Sequence, residues 1–328
     1  MEVTTLGWTL TIAVIVALLA FDLALGVLRP HAVGFREAAV WSVFYVAVAV
    51  AFGFVIAHVS GWEFGTQYFA GYLVEKSLSA DNLFVFVIIM GTFAVPPRYQ
   101  QEVLTFGIVI ALLLRVVFIA LGATLLSLFS FMFLIFGLIL IWTAVQLFRH
   151  RSEKREVNDN VLVRAAKRLL PVTDDYVGGR MIARVGGRRV VTPLLIALVA
   201  IGSTDVLFAL DSIPAVFGVT DEAYLVFVAN AFALLGLRAL FFLVKGLLDR
   251  LVYLSAGLSV ILAFIGVKLA LHWAHSDLSD SVPEISTALS LAVIVVILAV
   301  TTVASLLKAR KGSDRNSARA LEEERQPR

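Results

Sequence analysis

Pro193-Leu-Leu-Ile-Ala-Leu-Val-Ala-Ile-Gly-Ser-Thr-Asp205-Val-Leu-Phe-Ala-Leu-Asp211-Ser-Ile-Pro214-Ala-Val-Phe217 decides the class of this chain. It is a run of 25 residues, apolar except for a few polar side chains and two aspartates. A helix rises 1.5 Å per residue, so about 20 residues cross a hydrocarbon core of roughly 30 Å. The run is long enough to span a bilayer. It also carries charge where charge is expensive, at roughly 2.5–3.5 kcal/mol per ionised side chain at a helix centre.

Eight further runs resemble it. With approximate ends, the nine are 6–28, 38–59, 66–90, 102–126, 129–148, 193–217, 223–244, 252–273 and 286–307. Hydrophobic residues make up 60% of the 328, charged residues 16%, and the mean hydropathy is +0.94. A soluble core cannot hide that much apolar surface. The runs do not alternate, so a β-barrel fits poorly. The first run lacks a basic lead-in and a cleavage site, and reads as a retained helix. The predicted fold is therefore an all-α, multi-pass bundle of about nine transmembrane helices in the plasma (inner) membrane.

Basic residues predict the orientation. Of 27 Lys and Arg, 23 fall in the loops after runs 1, 3, 5 and 7 and in the C-terminal tail. The opposite loops carry acids, among them Glu63, Asp221, Glu222, Asp277 and Glu284. Lys/Arg-rich loops stay in the cytoplasm, which puts the N-terminus outside and the C-terminus inside. The pI of about 9.2 then reflects this bias and contact with anionic lipid, not nucleic acid. Residues 1–307 form the membrane domain, with a cytoplasmic loop at 149–192. In that loop, 161–170 is amphipathic, and Gly178-Gly179 and Gly186-Gly187 mark turns. The tail 308–328 reads as charged and disordered.

The four remaining basic residues, Lys76, Arg115, Arg238 and Lys268, lie inside runs and reveal a repeat. Ser79-Ala-Asp81-Asn-Leu-Phe84 matches Ser203-Thr-Asp205-Val-Leu-Phe208. Arg115 follows Asp81 by 34 residues, and Arg238 follows Asp205 by 33. Leu140–Leu147 then matches Leu262–Leu269. Helices 3–5 and 6–8 read as copies entering the membrane from opposite sides, an inverted repeat of the kind that builds secondary transporters around a midplane site.

The mid-span acids are Glu75, Asp81, Asp205 and Asp211, while Asp22 lies near the end of the first run. At 100° per residue, Glu75, Ser79 and Asn82 share a face. So do Asp205 and Ser212, and likewise Asp211 and Thr204. Pro214 frees the carbonyl of Leu210 beside Asp211. Carboxylates, a carboxamide, hydroxyls and freed carbonyls together make an oxygen-rich set suited to a hard cation. Ion pairing is the other reading: Asp81 and Asp205 paired with Arg115 and Arg238 to hold the bundle. Lys76 would pair with neighbouring Glu75, and Lys268 would snorkel. No cysteine is present, and the histidines (31, 58, 150, 272, 275) sit near span ends. Soft Cu(I) and typical zinc chemistry are disfavoured, and Mg²⁺, Ca²⁺ or Mn²⁺ favoured. No GxxxxGK[ST], GxSxG or HExxH motif occurs, so neither an enzyme nor an ATP-driven pump is expected.

Glu75-Lys-Ser-Leu-Ser-Ala-Asp-Asn-Leu-Phe-Val-Phe86 and Thr204-Asp-Val-Leu-Phe-Ala-Leu-Asp-Ser-Ile-Pro-Ala215 resemble signatures of the TerC family of tellurium-resistance membrane proteins. Asn230–Leu240, Pro171–Tyr176 and the following Gly178-Gly179 resemble it too, over roughly residues 35–275. The resemblance implies a cation transporter superfamily that includes lysine exporters. Manganese export is its best-attached activity, tellurite resistance its historical label, and the acids of helices 3 and 6 its ion ligands. Many relatives carry Glu three residues before the Thr-Asp aspartate, where this chain has Gly202.

The expected function is proton-coupled secondary export of a divalent cation, Mn²⁺ by the resemblance. Glu75, Asp81, Asn82, Asp205 and Asp211 would line the site, with Arg115 and Arg238 as supporting charges. Ser79, Thr204, Ser212 and Asn230 would be further polar lining. The expected partners are membrane lipid and the transported metal, with no nucleic acid and no tightly bound cofactor. The competing readings are an oxyanion pathway using Arg115, Arg238, Lys76 and Lys268, and a non-transporting scaffold working through 149–192.

Overall fold

The computed structural model describes residues 3–28, 34–149, 168, 171–173, 176–177, 179–185, 188–245, 253–279 and 281–325. The order is α1 (Thr5–Leu28), α2 (Phe35–Ser60), α3 (Trp62–Thr92), α4 (Pro97–Leu128), α5 (Met132–Arg149), β1 (Ile182–Val185), β2 (Arg188–Val191), α6 (Pro193–Phe217), α7 (Ala223–Leu234), α8 (Leu237–Lys245), α9 (Leu254–Asp277) and α10 (Thr287–Arg325). Proline opens both α4 and α6, where its missing N–H is no loss and its fixed φ suits the first turn.

Among the described residues, seven single helices are long and apolar enough to cross a membrane, and the bent pair α7–α8 raises the number to eight. α3, at 31 residues, is long enough but carries Glu63, Glu75, Lys76 and Asp81. Exposed apolar side chains such as Val43, Leu113, Val117, Leu121, Trp142, Val267 and Val300 coat the bundle, as lipid requires and water does not permit. The centre is α6, where 61% of the span is buried against 17% for the spans of α1 and α10.

The bundle packs in a definite set of pairs: α5 with α9, α3 with α7, α4 with α6 and α3 with α6, with α2 against α3 and α8. α5 and α9 run antiparallel, since Ser130 at the head of α5 donates to Asp277 at the foot of α9 at 2.9 Å. They cross at Gly137 and Gly266, where a Cβ on either would stand 2.7 Å from the other's carbonyl oxygen. Apolar side chains gain nothing by leaving lipid for a neighbouring helix, so close backbone approach does the packing.

The structure departs from the sequence reading in several places. The single run 223–244 is two helices bent by 44°, with Gly236 between them at φ +76. The break is tertiary in origin. Tyr45 packs its ring on Gly236, so close that a Cβ there would meet it at 2.6 Å. Lys76 donates to the Ala233 carbonyl at 3.1 Å, placing a cation on the C-terminal end of α7, where free carbonyls accept and the helix dipole attracts it. Lys76 thus serves α7 and not Glu75. α10 continues to Arg325, through the segment whose composition reads as disordered, because Ala, Leu, Glu, Arg and Lys are strong helix formers.

Between α5 and α6, β1 and β2 pair antiparallel, Ile182 against Val191. Tyr176 donates to the Phe93 carbonyl, its ring stacks near Tyr99 at 6.5 Å, and Thr192 donates to the Arg180 carbonyl at 2.7 Å. Burial pushes the Tyr176 hydroxyl pKa up. The segment therefore docks on the α3–α4 end of the bundle. The amphipathic 161–170 stretch, apart from Arg168, and Gly178, Gly186 and Gly187 lie outside the described residues.

Candidate functional site

Glu75, Arg115, Asp205 and Asn230 meet in the interior, one each from α3, α4, α6 and α7. None is more than 2% exposed. Arg115 Nη1 donates to Glu75 Oε1 and to Asn230 Oδ1 at 2.9 Å. Its Nη2 reaches Asp205 Oδ1 at 3.4 Å. Asn230 Nδ2 donates to Glu75 Oε2 at 3.0 Å, and Ser79 adds a long contact of 3.4 Å to Glu75 Oε1. Two carboxylates therefore face one guanidinium, a formal excess of one negative charge.

The network is uneven. Arg115 Nε, Asp205 Oδ2 and Ser212 Oγ are buried with no hydrogen-bond partner. Native interiors leave few such atoms, and each calls for an explanation such as water or an ion. The Glu75 end is well bonded and the Asp205 end is not.

The helix register sorts the acids by depth. Thr220, just past the end of α6, donates to Gln67 near the start of α3 at 2.7 Å. A Cβ on Gly71 would lie 3.0 Å from Val216. α3 and α6 are thus antiparallel, and continuing the register sets Glu75 level with Asp211 and Ser212, and Asp81 level with Asp205. Six residues separate the two layers on each helix, about 9 Å at 1.5 Å per residue.

The predicted ligands divide accordingly. Arg115 joins Glu75 of one layer to Asp205 of the other, and Asn230 bonds Glu75 and Arg115. Asp81, half-buried, turns to α9 and accepts from Ser255 at 2.7 Å. Asp211 is half-buried and Asn82 buried. Thr204 bonds its own helix at the Ala200 carbonyl, 2.7 Å away. Among the described residues no three of His, Cys, Asp and Glu are grouped to hold a metal ion.

The expected charge pairs also shift. Arg115 pairs with Glu75 and Asp205, so it bonds both within its own copy of the proposed repeat and across to the other. Arg238 does not pair with Asp205. Its Nη2 donates to Asp22 at 2.9 Å, and Tyr45 donates to the same oxygen at 3.0 Å. Asp22, near the end of the first run, is 7% exposed and ties α8 to α1 and α2. A lone acid in the otherwise apolar run 6–28 was the available signal.

A second feature sits at one end of the bundle. A cavity of about 570 Å³ is lined by Glu63, Asp221, Glu222, Glu284, Lys268 and His272, among others. His272 Nδ1 lies 2.8 Å from Glu284 Oε1. Partial withdrawal from water raises the Asp221 carboxyl above its ordinary range, with Glu284 and Glu222 adding to the rise and His272 and Lys268 opposing it.

Comparison with known proteins gives a consistent answer. The sequence profile of the "Integral membrane protein TerC family" matches residues 60–313. An uncharacterized membrane protein of Mycobacterium tuberculosis is 46% identical over 327 residues, covering 96% of this chain and 82% of the relative. A Photorhabdus laumondii protein described as a candidate membrane-bound redox modulator, Alx, is 36% identical, covering 88% of this chain and 93% of its own. The thylakoid membrane protein TERC of Arabidopsis thaliana is 41% identical, covering 75% of this chain and 64% of its own. No solved structure matches. The chain belongs to the TerC family of integral membrane proteins.

Proposed function

We propose that this protein is a secondary transporter that exports a divalent cation, Mn²⁺ by family resemblance, from the cytoplasm across the plasma membrane in exchange for protons. One observation carries the reading: the buried Glu75–Arg115–Asp205 cluster has more carboxylate than cation, and one oxygen of Asp205 has no donor. A buried carboxylate short of positive charge attracts a cation, and a proton and a metal ion compete for it. Export of a dication against an inside-negative potential needs a driving ion, since each charge is worth about 2.3 kcal/mol per 100 mV. The site, in this reading, is the two layers of Glu75 with Asp211 and Asp81 with Asp205. Asn82 and Asn230 are neutral oxygen donors nearby.

The proposed architecture is nine spans with an inverted repeat, N-terminus outside. Two observations support it. The cavity gathers the starts of α3, α5 and α10 with the ends of α6 and α9, which is consistent with α3 crossing and with α7–α8 crossing once between them. The packing pairs also survive exchange of α3, α4 and α5 with α6, α7–α8 and α9: α4·α6 becomes α7·α3, while α3·α6 and α5·α9 map onto themselves.

The test is efflux from proteoliposomes holding the purified protein, with Mn²⁺, Mg²⁺ and Ca²⁺ compared. Asp205→Asn in folded protein is expected to abolish efflux. Undiminished efflux by that variant would remove the site assignment. A charge lock in a non-transporting scaffold is the second reading, favoured by the full burial of Arg115 against two carboxylates. It predicts no cation flux from the wild type. The oxyanion reading loses support, because Arg115 is already engaged by carboxylates and Arg238 by Asp22.

A further inference from the structure

Arg115 occupies a position that a cation transporter ordinarily leaves to its cargo. Its guanidinium lies between Glu75 of one acidic layer and Asp205 of the other. We propose that Arg115 is a resident counter-cation: a substrate cation binds at Asp205 only as the guanidinium gives that carboxylate up, and Arg115 returns to it when the substrate leaves. The inference rests on the transport reading above and names how that site is regulated.

Three observations carry it. First, the bridge is asymmetric. On the Glu75 side Arg115 Nη1 contacts both Glu75 and Asn230, and Asn230 itself binds Glu75 at 3.0 Å. On the Asp205 side there is a single contact of 3.4 Å. The guanidinium is anchored at one end and only loosely held at the other.

Second, both partners at the loose end have unused capacity. Asp205 Oδ2 accepts nothing and Arg115 Nε donates to nothing, although both are buried. An Arg–carboxylate pair frequently takes the bidentate form, two parallel bonds from one fork. That form is not made here. Asp205 thus keeps one oxygen available to an incoming cation before the bridge breaks.

Third, releasing Asp205 does not strand the guanidinium. Glu75 and Asn230 still hold it, which avoids the heavy cost of an unpaired buried charge. Asp81 lies level with Asp205 in the α3–α6 register, so a cation at that layer finds a second carboxylate at the same depth. The substrate class is a hard cation carrying enough charge to replace a guanidinium beside Asp205.

A tethered competitor lowers apparent affinity by the fraction of molecules in which it has let go. Equilibrium binding of Mn²⁺ to purified full-length protein therefore tests the idea with wild type, Arg115→Gln and Arg115→Lys. Arg115→Gln is expected to bind Mn²⁺ at least about tenfold tighter than wild type. Arg115→Lys, which keeps the charge but not the fork, is expected to fall between them. It also carries the test if the glutamine variant fails to fold. Mn²⁺ binding by wild type that neither variant tightens overturns the inference and leaves the transport reading standing. Binding by the variants but not by wild type supports the inference. Absence of binding in all three overturns both.

Discussion

Single side chains decide how this bundle tolerates its charge. Removing one partner of a buried ion pair leaves the other uncompensated, at a cost of about 3–5 kcal/mol. Arg115→Gln therefore carries a stability penalty as well as a binding gain, and Glu75→Gln is expected to be the more damaging carboxylate change, since Glu75 takes bonds from Arg115 and Asn230. Thermal unfolding in detergent would rank Glu75→Gln below Asp205→Asn. Lys76→Met should cost about 1–3 kcal/mol by leaving the Ala233 carbonyl without its donor. Asp221 gives a pH signature. Its carboxyl pKa is raised in the folded protein, so the fold favours the protonated form, and stability is lost as pH rises from about 4 through the raised value. The melting temperature of Asp221→Asn relative to wild type should rise over that interval and stay flat below it. Equal pH dependence in both proteins would refute the assignment.

Among elements, α7–α8 is the one whose form the local sequence conceals. Leu234-Leu-Gly-Leu237 is apolar throughout, and a single glycine inside an apolar run does not by itself end a helix. The bend exists because Tyr45 fills the space beside Gly236, Lys76 caps Ala233, and Asp22 holds Arg238. Gly236→Ala meets both a left-handed backbone, worth about 1–2 kcal/mol against a side chain, and the Tyr45 ring. It should destabilise the protein more than Gly91→Ala, where a Cβ meets nothing. The α5–α9 crossing makes a parallel prediction. Gly137→Leu forces apart backbones that touch at the Gly266 carbonyl, and overpacking of that kind costs about 1–3 kcal/mol. Melting curves of the two variants check it.

On the scale of the whole molecule, the topology can be tested directly because the chain has no native cysteine. Single cysteines at Glu63, Ser130, Asp221, Asp277 and Glu284 should all react with a membrane-impermeant thiol reagent from one face of intact cells. One at Arg184 should react only after permeabilisation. Ser130 and Asp277 share a hydrogen bond, so labelling that separated those two positions would break the bundle as described. Labelling all of them from the cytoplasmic side would reverse the orientation without altering the packing.

Sequence by itself determined the class. Uninterrupted apolar runs of bilayer length have one stable destination, and among the described residues seven helices, or eight with the bent pair, are long and apolar enough to cross. The recurring Asp and Arg pointed to α3, α4 and α6 as the charged interior, because charge in an apolar helix survives only with a partner. It did not determine which charges meet. The repeat suggested Asp81 and Asp205 beside Arg115 and Arg238. Depth and rotation put Arg115 between Glu75 and Asp205, sent Arg238 to Asp22 and turned Asp81 to Ser255. A helix face fixes the direction of a side chain about its own axis. Only the packing of four helices fixes which neighbour lies in that direction, and that choice decided the site.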